Sequence, residues 1–349
     1  MKNQRVLIIG ALVVLAVAAF FFSQKQTKVS DIKVGIILGF TGPIESLTPD
    51  MASGAELAFK EATDSGELLG GANIIPVRAD STCVDSAAAS TAAEDLIAQG
   101  IVAIMGADCS GVTGAIASNV AVPNGVVMVS PSATSPALTD LDDNGLFFRT
   151  APSDARGGEV LADITKDNGV SSVAITDVNT DYGVGLADVY KAALEAHGIT
   201  VTTTTAHEGD KADYSAEVGV LSSAGGDALA VLGYLDQGGN QIIQGSLDSG
   251  AFDTFVLSDG MIGDSLTDTF GSDLDNSFGS MPGSLGEGAQ MFTKYAEENG
   301  VNPSVYVGES YDAAALIILA MQAGESTDKS SIAANIMNVA NGPGEKIME

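Results

Sequence analysis

Residues 101–136 read IVAIMGADCSGVTGAIASNVAVPNGVVMVSPSATSP, and the order of features in this stretch decides the fold. An apolar run at 101–104 leads into the polar turn Met105-Gly106-Ala107-Asp108-Cys109-Ser110-Gly111. A segment with helical spacing follows at 114–122, then a second apolar run at 126–129. A second hydroxyl-rich turn comes next, Ser130-Pro131-Ser132-Ala133-Thr134-Ser135-Pro136. Strand, turn, helix, strand, turn predicts neighbouring parallel strands with both turns at their carboxyl ends. Open α/β sheets bind small ligands at that edge. Backbone N–H groups and hydroxyls gathered at a helix start suit a carboxylate or another small anion.

The alternation extends in both directions. Upstream, strands are predicted at 32–38 and 74–79, with helices at 51–62 and 86–97. Downstream, a second series starts near Pro152, with a helix at 158–166 and a strand at 172–176. Tyr182-Gly183-Val184-Gly185 reads as a strand-to-helix loop opening a helix at 186–196. Strands at 199–204, 228–232 and 255–257 alternate with helices near Ala216 and Ile242. After Met281-Pro282 the pattern turns helical, at 286–299 and 305–323. The fold class is therefore α/β, with two doubly wound parallel-sheet lobes. A chain of 349 residues is long enough for two cores. The two series share a pattern but no visible sequence repeat.

Forty-five acidic residues against 15 basic ones give a net charge of −30, spread without a block. Such a surface repels nucleic acid and anionic membrane, so neither is expected as a partner. Lys2 and Arg5 precede an uncharged apolar run at 6–22, which reads as a secretory signal; an uncleaved N-terminal anchor is the alternative. Residues 1–30 are assigned to that segment, and the folded body is expected outside the cytoplasm. Cys83 and Cys109 each follow a predicted strand, so one sheet edge brings them together. An even cysteine count in an exported chain favours a disulfide, with two buried free thiols as the other reading. His197 and His207 have no metal-ligand spacing with the cysteines, and no metal or cofactor is called for.

Gly263-Asp264-Ser265-Leu266 resembles a hydrolase nucleophile block, but neither histidine stands in the Asp-x-x-His context such a serine uses. No phosphate-binding loop with its lysine and no dinucleotide glycine fingerprint is present. The expectation is a non-enzymatic protein, with an exported hydrolase using Ser265 as the distant rival. Asp259, in Ser258-Asp259-Gly260 after a strand, can project a carboxylate into a cleft. Tyr182 offers an apolar face with a phenol tip. Hydroxyls and N–H groups on one side, with an acid and an aromatic on the other, match a zwitterion.

In this order the residues resemble periplasmic solute-binding proteins of the leucine/isoleucine/valine-binding type, two-lobed receptors of ABC importers. The resemblance is carried by Asp31-Ile32-Lys33-Val34, Thr41-Gly42-Pro43, Asp80 with Cys83, and Gly106 with Cys109-Ser110. It continues through Ser130-Pro131-Ser132-Ala133-Thr134, Tyr182-Gly183-Val184-Gly185-Leu186-Ala187, Ser258-Asp259-Gly260 and Met281-Pro282. It implies a type I periplasmic binding fold in which a hinge joins the lobes. Ser110 is then the serine that binds the ligand α-carboxylate, and Ser132 and Thr134 grip carboxylate and ammonium, with Ala133 between them. Tyr182 closes over the ligand, and Asp259 replaces a family glutamate that pairs with the ammonium. Leu47 stands where the family often has tyrosine, and Tyr234 is what remains of a second-lobe aromatic pair. Cys83 and Cys109 match the family disulfide.

The resemblance also implies crossing lobes. Lobe 1 is expected at 31–149 and 283–340, lobe 2 at 150–282 with a stub at 341–349, short of the family's final strands, as in a truncated sequence. The expected function is capture of an amino acid with an apolar or small polar side chain for an inner-membrane ABC permease. The protein would act in the periplasm as a monomer. A ligand-sensing module of the same fold, taking amides or small carboxylates, is the nearer alternative.

Overall fold

The computed structural model describes residues 31–342. The leader or anchor expected at 1–30 and the stub from residue 343 onward lie outside the described residues. Two five-stranded parallel sheets form the two lobes. The first holds β1 (Ile32–Leu38), β2 (Ile74–Asp80), β3 (Ala103–Gly106), β4 (Val127–Ser130) and β5 (Phe147–Arg149), in the order β2-β1-β3-β4-β5. The second holds β6 (Ser172–Val178), β7 (Thr200–His207), β8 (Ala228–Leu232), β9 (Phe255–Leu257) and β10 (Phe278–Gly279), in the order β10-β9-β8-β6-β7. Counted from its own first strand, each sheet runs 2-1-3-4-5. Similarity that the sequence does not display is thus present in the topology. Each sheet reverses direction beside its first strand, and that switch point is where such sheets open a ligand crevice.

Burial explains the strand compositions. Every residue of β3, β4, β8 and β9 is buried, as expected where helices cover both faces of a parallel sheet. The edge strands β5 and β10, of three and two residues, are too short to show periodicity and were not anticipated.

Helices α1 (Thr48–Ser65), α2 (Ser86–Ala98) and α3 (Ser110–Ile116) belong to the first series. Helices α4 (Asp154–Asp167), α5 (Asp181–Ala196), α6 (Ser215–Ala224), α7 (Gly239–Ser249) and α8 (Asp264–Phe270) belong to the second. The chain ends in α9 (Glu287–Glu298), α10 (Val307–Ala323) and α11 (Lys329–Asn341). Helix α10 packs along α1 and over β3 and β4, and α11 packs on α10, so the final helices return to the first sheet. Local signals set the starts: the Asp85 carboxylate accepts from the N–H groups of Ala87 and Ala88 at 2.9 and 3.0 Å.

Two expectations change. The helix predicted at 114–122 starts at Ser110 and widens into a π turn at Ala117–Ala121. Tyr182 lies in the first turn of α5, not in the loop before it, because Thr180 already caps the helix, its hydroxyl accepting from Gly183 N–H at 3.4 Å. Gly183 permits that early start, since a Cβ there would collide with the Val178 carbonyl. Cys83 and Cys109 are disulfide-bonded, their Cα atoms 5.2 Å apart, which closes the free-thiol reading.

Candidate site between the lobes

The carboxyl ends of both sheets face one another across a tightly closed cavity of about 20 Å³. From the first lobe it is lined by Ile44, Leu47, Met51, Asp108, Ser110 and Ser132; Tyr182, Tyr234 and Asp259 come from the second, and Tyr306 from the turn before α10. The first-lobe wall is fixed by backbone anchoring. The Asp108 carboxylate accepts from Gly39 N–H at 2.6 Å, Ser81 Oγ at 3.0 Å and Cys109 N–H at 2.9 Å, tying the ends of β1, β2 and β3 together. Burial pushes the Asp108 carboxyl above the usual range despite these donors. Ser132 Oγ donates to the Asp108 carbonyl at 3.1 Å, and Ser110 Oγ accepts from Ser135 N–H at 3.1 Å. The Arg149 guanidinium donates to the carbonyls of Ala133 and Ser135 at 3.0 and 2.9 Å and to Thr139 Oγ1 at 2.6 Å. An arginine thus clamps the second hydroxyl-rich turn from behind.

The second-lobe wall is a side-chain assembly. Tyr182 OH donates to Asp259 Oδ1 at 2.6 Å, and Tyr306 OH donates to Asp259 Oδ2. Burial and the Asp259 charge hold both phenols well above their ordinary range, so they stay protonated donors. Burial raises the Asp259 carboxyl above the usual range, and the two phenol hydrogen bonds offset only part of that rise. Gly260 N–H donates to Tyr182 OH at 3.2 Å. A Cβ at Gly260 would lie 2.5 Å from the Gly233 carbonyl oxygen, so only glycine brings this backbone so close. Tyr234 stacks on Tyr182 with centroids 5.1 Å apart and planes 21° from parallel. A direct bridge spans the lobes beside the cavity. Asp236 Oδ2 accepts from Ser46 N–H at 3.1 Å and Ser46 Oγ at 2.7 Å, and Asp236 N–H donates to the Pro43 carbonyl at 3.0 Å.

Of the residues singled out from sequence, Ser110, Ser132, Tyr182, Asp259, Leu47 and Tyr234 meet at this cavity. Ala133 and Thr134 are buried behind its wall, and the Thr134 hydroxyl has no hydrogen-bond partner among the described residues. Sequence reasoning missed Tyr306, whose backbone is left-handed at φ 64°, and Asp154, buried at the start of α4. Neither histidine bonds to Ser265. His207 Nδ1 is paired with Thr176 Oγ1 at 2.8 Å, and His197 Nε2 with Asp163 at 2.8 Å.

The family model described as periplasmic binding protein matches residues 31–341. Leu/Ile/Val-binding protein homolog 1 of Brucella melitensis is 31% identical over 313 residues, which cover 87% of this chain and 81% of that one. Among solved structures, the branched-chain amino acid transporter substrate binding protein LivJ of Streptococcus pneumoniae, in complex with isoleucine, superposes with a TM-score of 0.77 at 22% identity, covering 88% of each chain. A solute binding protein of an R. palustris ABC transporter, in complex with benzoate, gives 0.76 at 18% identity, covering 88% of this chain and 85% of that one. At these identities the two structures speak for the fold. The family match over nearly all the described residues, with a relative that aligns along most of its own length, places the chain in the periplasmic binding protein family.

Proposed function

We propose that this protein captures a single amino acid with an apolar side chain between its lobes and hands it, unaltered, to an ABC permease outside the cytoplasm. The observation that carries this reading is the polarity of the cleft. A hydroxyl-rich turn at a helix start faces a buried carboxylate held by two phenols, with Ile44, Leu47 and Met51 beside them. Ser110 and Ser132, with the N–H groups of their turns, would receive the α-carboxylate. Asp259 would receive the ammonium, and the apolar residues the side chain. The Leu/Ile/Val-binding relative supports the same ligand class.

The mechanism is binding by hinge closure. Lobe 1, taken as 31–149 with the helices after 283, presents a preformed wall; lobe 2, taken as 150–282, brings Tyr182, Tyr234 and Asp259 onto it. Expelling water strengthens the charged hydrogen bonds, and the Ser46–Asp236 bridge holds the closed form. A thermal-shift screen of the amino acids, with calorimetry on the hits, tests the reading. Leucine, isoleucine or valine at about a thousand times its dissociation constant should stabilise the fold by about 4 kcal/mol. The reading fails if no amino acid shifts the melting temperature while an amide or aromatic carboxylate does. That second reading draws on the benzoate complex of the same fold, and the buried acid at Asp259 opposes it.

A further inference from the structure

Asp154 opens α4 and is 4% exposed; its Oδ2 makes no well-formed hydrogen bond among the described residues, although the neighbouring Thr134 hydroxyl holds the carboxyl down against burial. Asp154 lines a second cavity of about 140 Å³ with Leu161, Leu186, Ser258, Asp259 and Met281. Asp259 therefore borders both this cavity and the one between the lobes. The ionisable groups acting on Asp154 come from several elements. Asp259, after β9, repels its charge, while Arg149, at the end of β5, attracts it. The phenols of Tyr182, Tyr234 and Tyr306 feel its charge in turn. Arg149 has its guanidinium engaged with two carbonyls and a hydroxyl, and Arg156, which also lines the cavity, is paired with Glu159 at 2.7 Å. Two buried carboxyls thus share a site without an ion-pair partner of their own among the described residues.

We propose that Asp154 is a specificity-determining residue of the cleft: it shares one proton with Asp259 when the cleft is empty and releases it to solvent when a ligand ammonium arrives. This rests on the amino-acid reading above. Neighbouring buried carboxylates do not both ionise unless a cation joins them. An amino acid brings that cation, so the pair sheds its proton and Asp259 meets the ammonium as a carboxylate, with the Asp154 charge behind it. A carboxylate of the same shape without the amino group brings a second negative charge to the singly charged pair, with no cation to offset it, and is rejected. Burial, and then the Asp259 charge, raise the Asp154 carboxyl to about 8, in keeping with a shared proton at neutral pH.

Calorimetry with L-leucine at neutral pH, in phosphate and in Tris, reads the proton through the difference in buffer ionisation heat. The wild type should release up to about one proton per leucine. Asp154→Asn should release almost none, bind leucine about tenfold more weakly, and discriminate less against 4-methylpentanoate. No release by the wild type, or undiminished release by the variant, overturns the proposal. A ligand-free arm tests the shared proton by itself. A carboxyl raised in the folded state contributes stability that is fully present below its unfolded value near 4 and is lost as pH rises through about 8. The melting temperature of the wild type should therefore fall relative to Asp154→Asn between about pH 5 and about pH 9; a constant difference is the contrary result. If Asp154→Asn does not fold, Asp259→Asn, which removes the repelling charge, should lessen the same slope. If leucine gives no heat at all, the amino-acid reading fails while the ligand-free arm still decides whether the proton is shared.

Discussion

On the first-lobe side of the cleft, Ser110 and Ser132 sit on turns tied to backbone: the Asp108 carboxylate holds three strand ends, Arg149 clamps the Ser130–Pro136 turn, and the Cys83–Cys109 bond joins two of the loops. On the second-lobe side, Tyr182, Tyr234 and Asp259 come from three separate strand ends and are held by phenol–carboxylate hydrogen bonds and ring stacking, with Tyr306 contributed from the turn before α10. One wall is anchored to backbone and, in the proposed function, receives the ligand's carboxylate end. The other carries a buried carboxylate held by side chains alone. Damage to the first should appear mainly as lost stability, and damage to the second mainly as lost affinity.

The largest expected effect falls on the backbone-anchored wall. Replacing both cysteines, Cys83→Ser with Cys109→Ser, opens a loop of 26 residues. Denaturant unfolding should then show a loss of about 3.5 kcal/mol on the chain-entropy estimate. Calorimetry at a temperature where the variant is folded should find leucine affinity nearly unchanged. A large affinity loss with intact stability would reverse the assignment of the two walls. Next comes Asp259→Ala, which should weaken leucine at least about 100-fold, or about 2.7 kcal/mol, while the melting temperature moves little. Unchanged affinity would remove Asp259 from the ammonium role.

A smaller effect belongs to the bridge. Asp236→Ala removes the acceptor for Ser46 N–H and Oγ without touching the cavity wall. Leucine should bind about tenfold more weakly, mostly through faster dissociation. Dissociation at the wild-type rate would mean that closure does not use this contact. The smallest change belongs to Ser265→Ala, in the first turn of α8, whose hydroxyl bonds neither histidine. Binding should be the same within error, and loss of a hydrolytic turnover in this variant would revive the enzyme reading.

The difference between the walls also governs how legible the site was. Ser110 and Ser132 stand out in the chain because each lies in a polar turn that abruptly follows an apolar strand. Two-lobe α/β architecture follows from the same alternation. Tyr182 and Asp259 carry no local pattern of comparable strength, and their pairing joins residues 77 apart in sequence. Tyr234 lies in an irregular segment where it bridges to Gln237 and Gly238 and stacks on Tyr182, an arrangement no periodicity announces. Tyr306 precedes α10 on left-handed backbone, where no periodicity marks it. Asp154 looks like any acid in a first helical turn; its burial depends on Ser258, Asp259 and Met281, more than 100 positions away. Contacts between residues far apart in sequence leave no signature in the local pattern around either one.

The most direct measurement compares L-leucine with 4-methylpentanoate, the same molecule without its amino group, by calorimetry on the wild-type protein. An acid that waits in the second wall for an ammonium requires the deaminated compound to bind at least about 100-fold more weakly. Equal affinity for the two would contradict that account of the cleft.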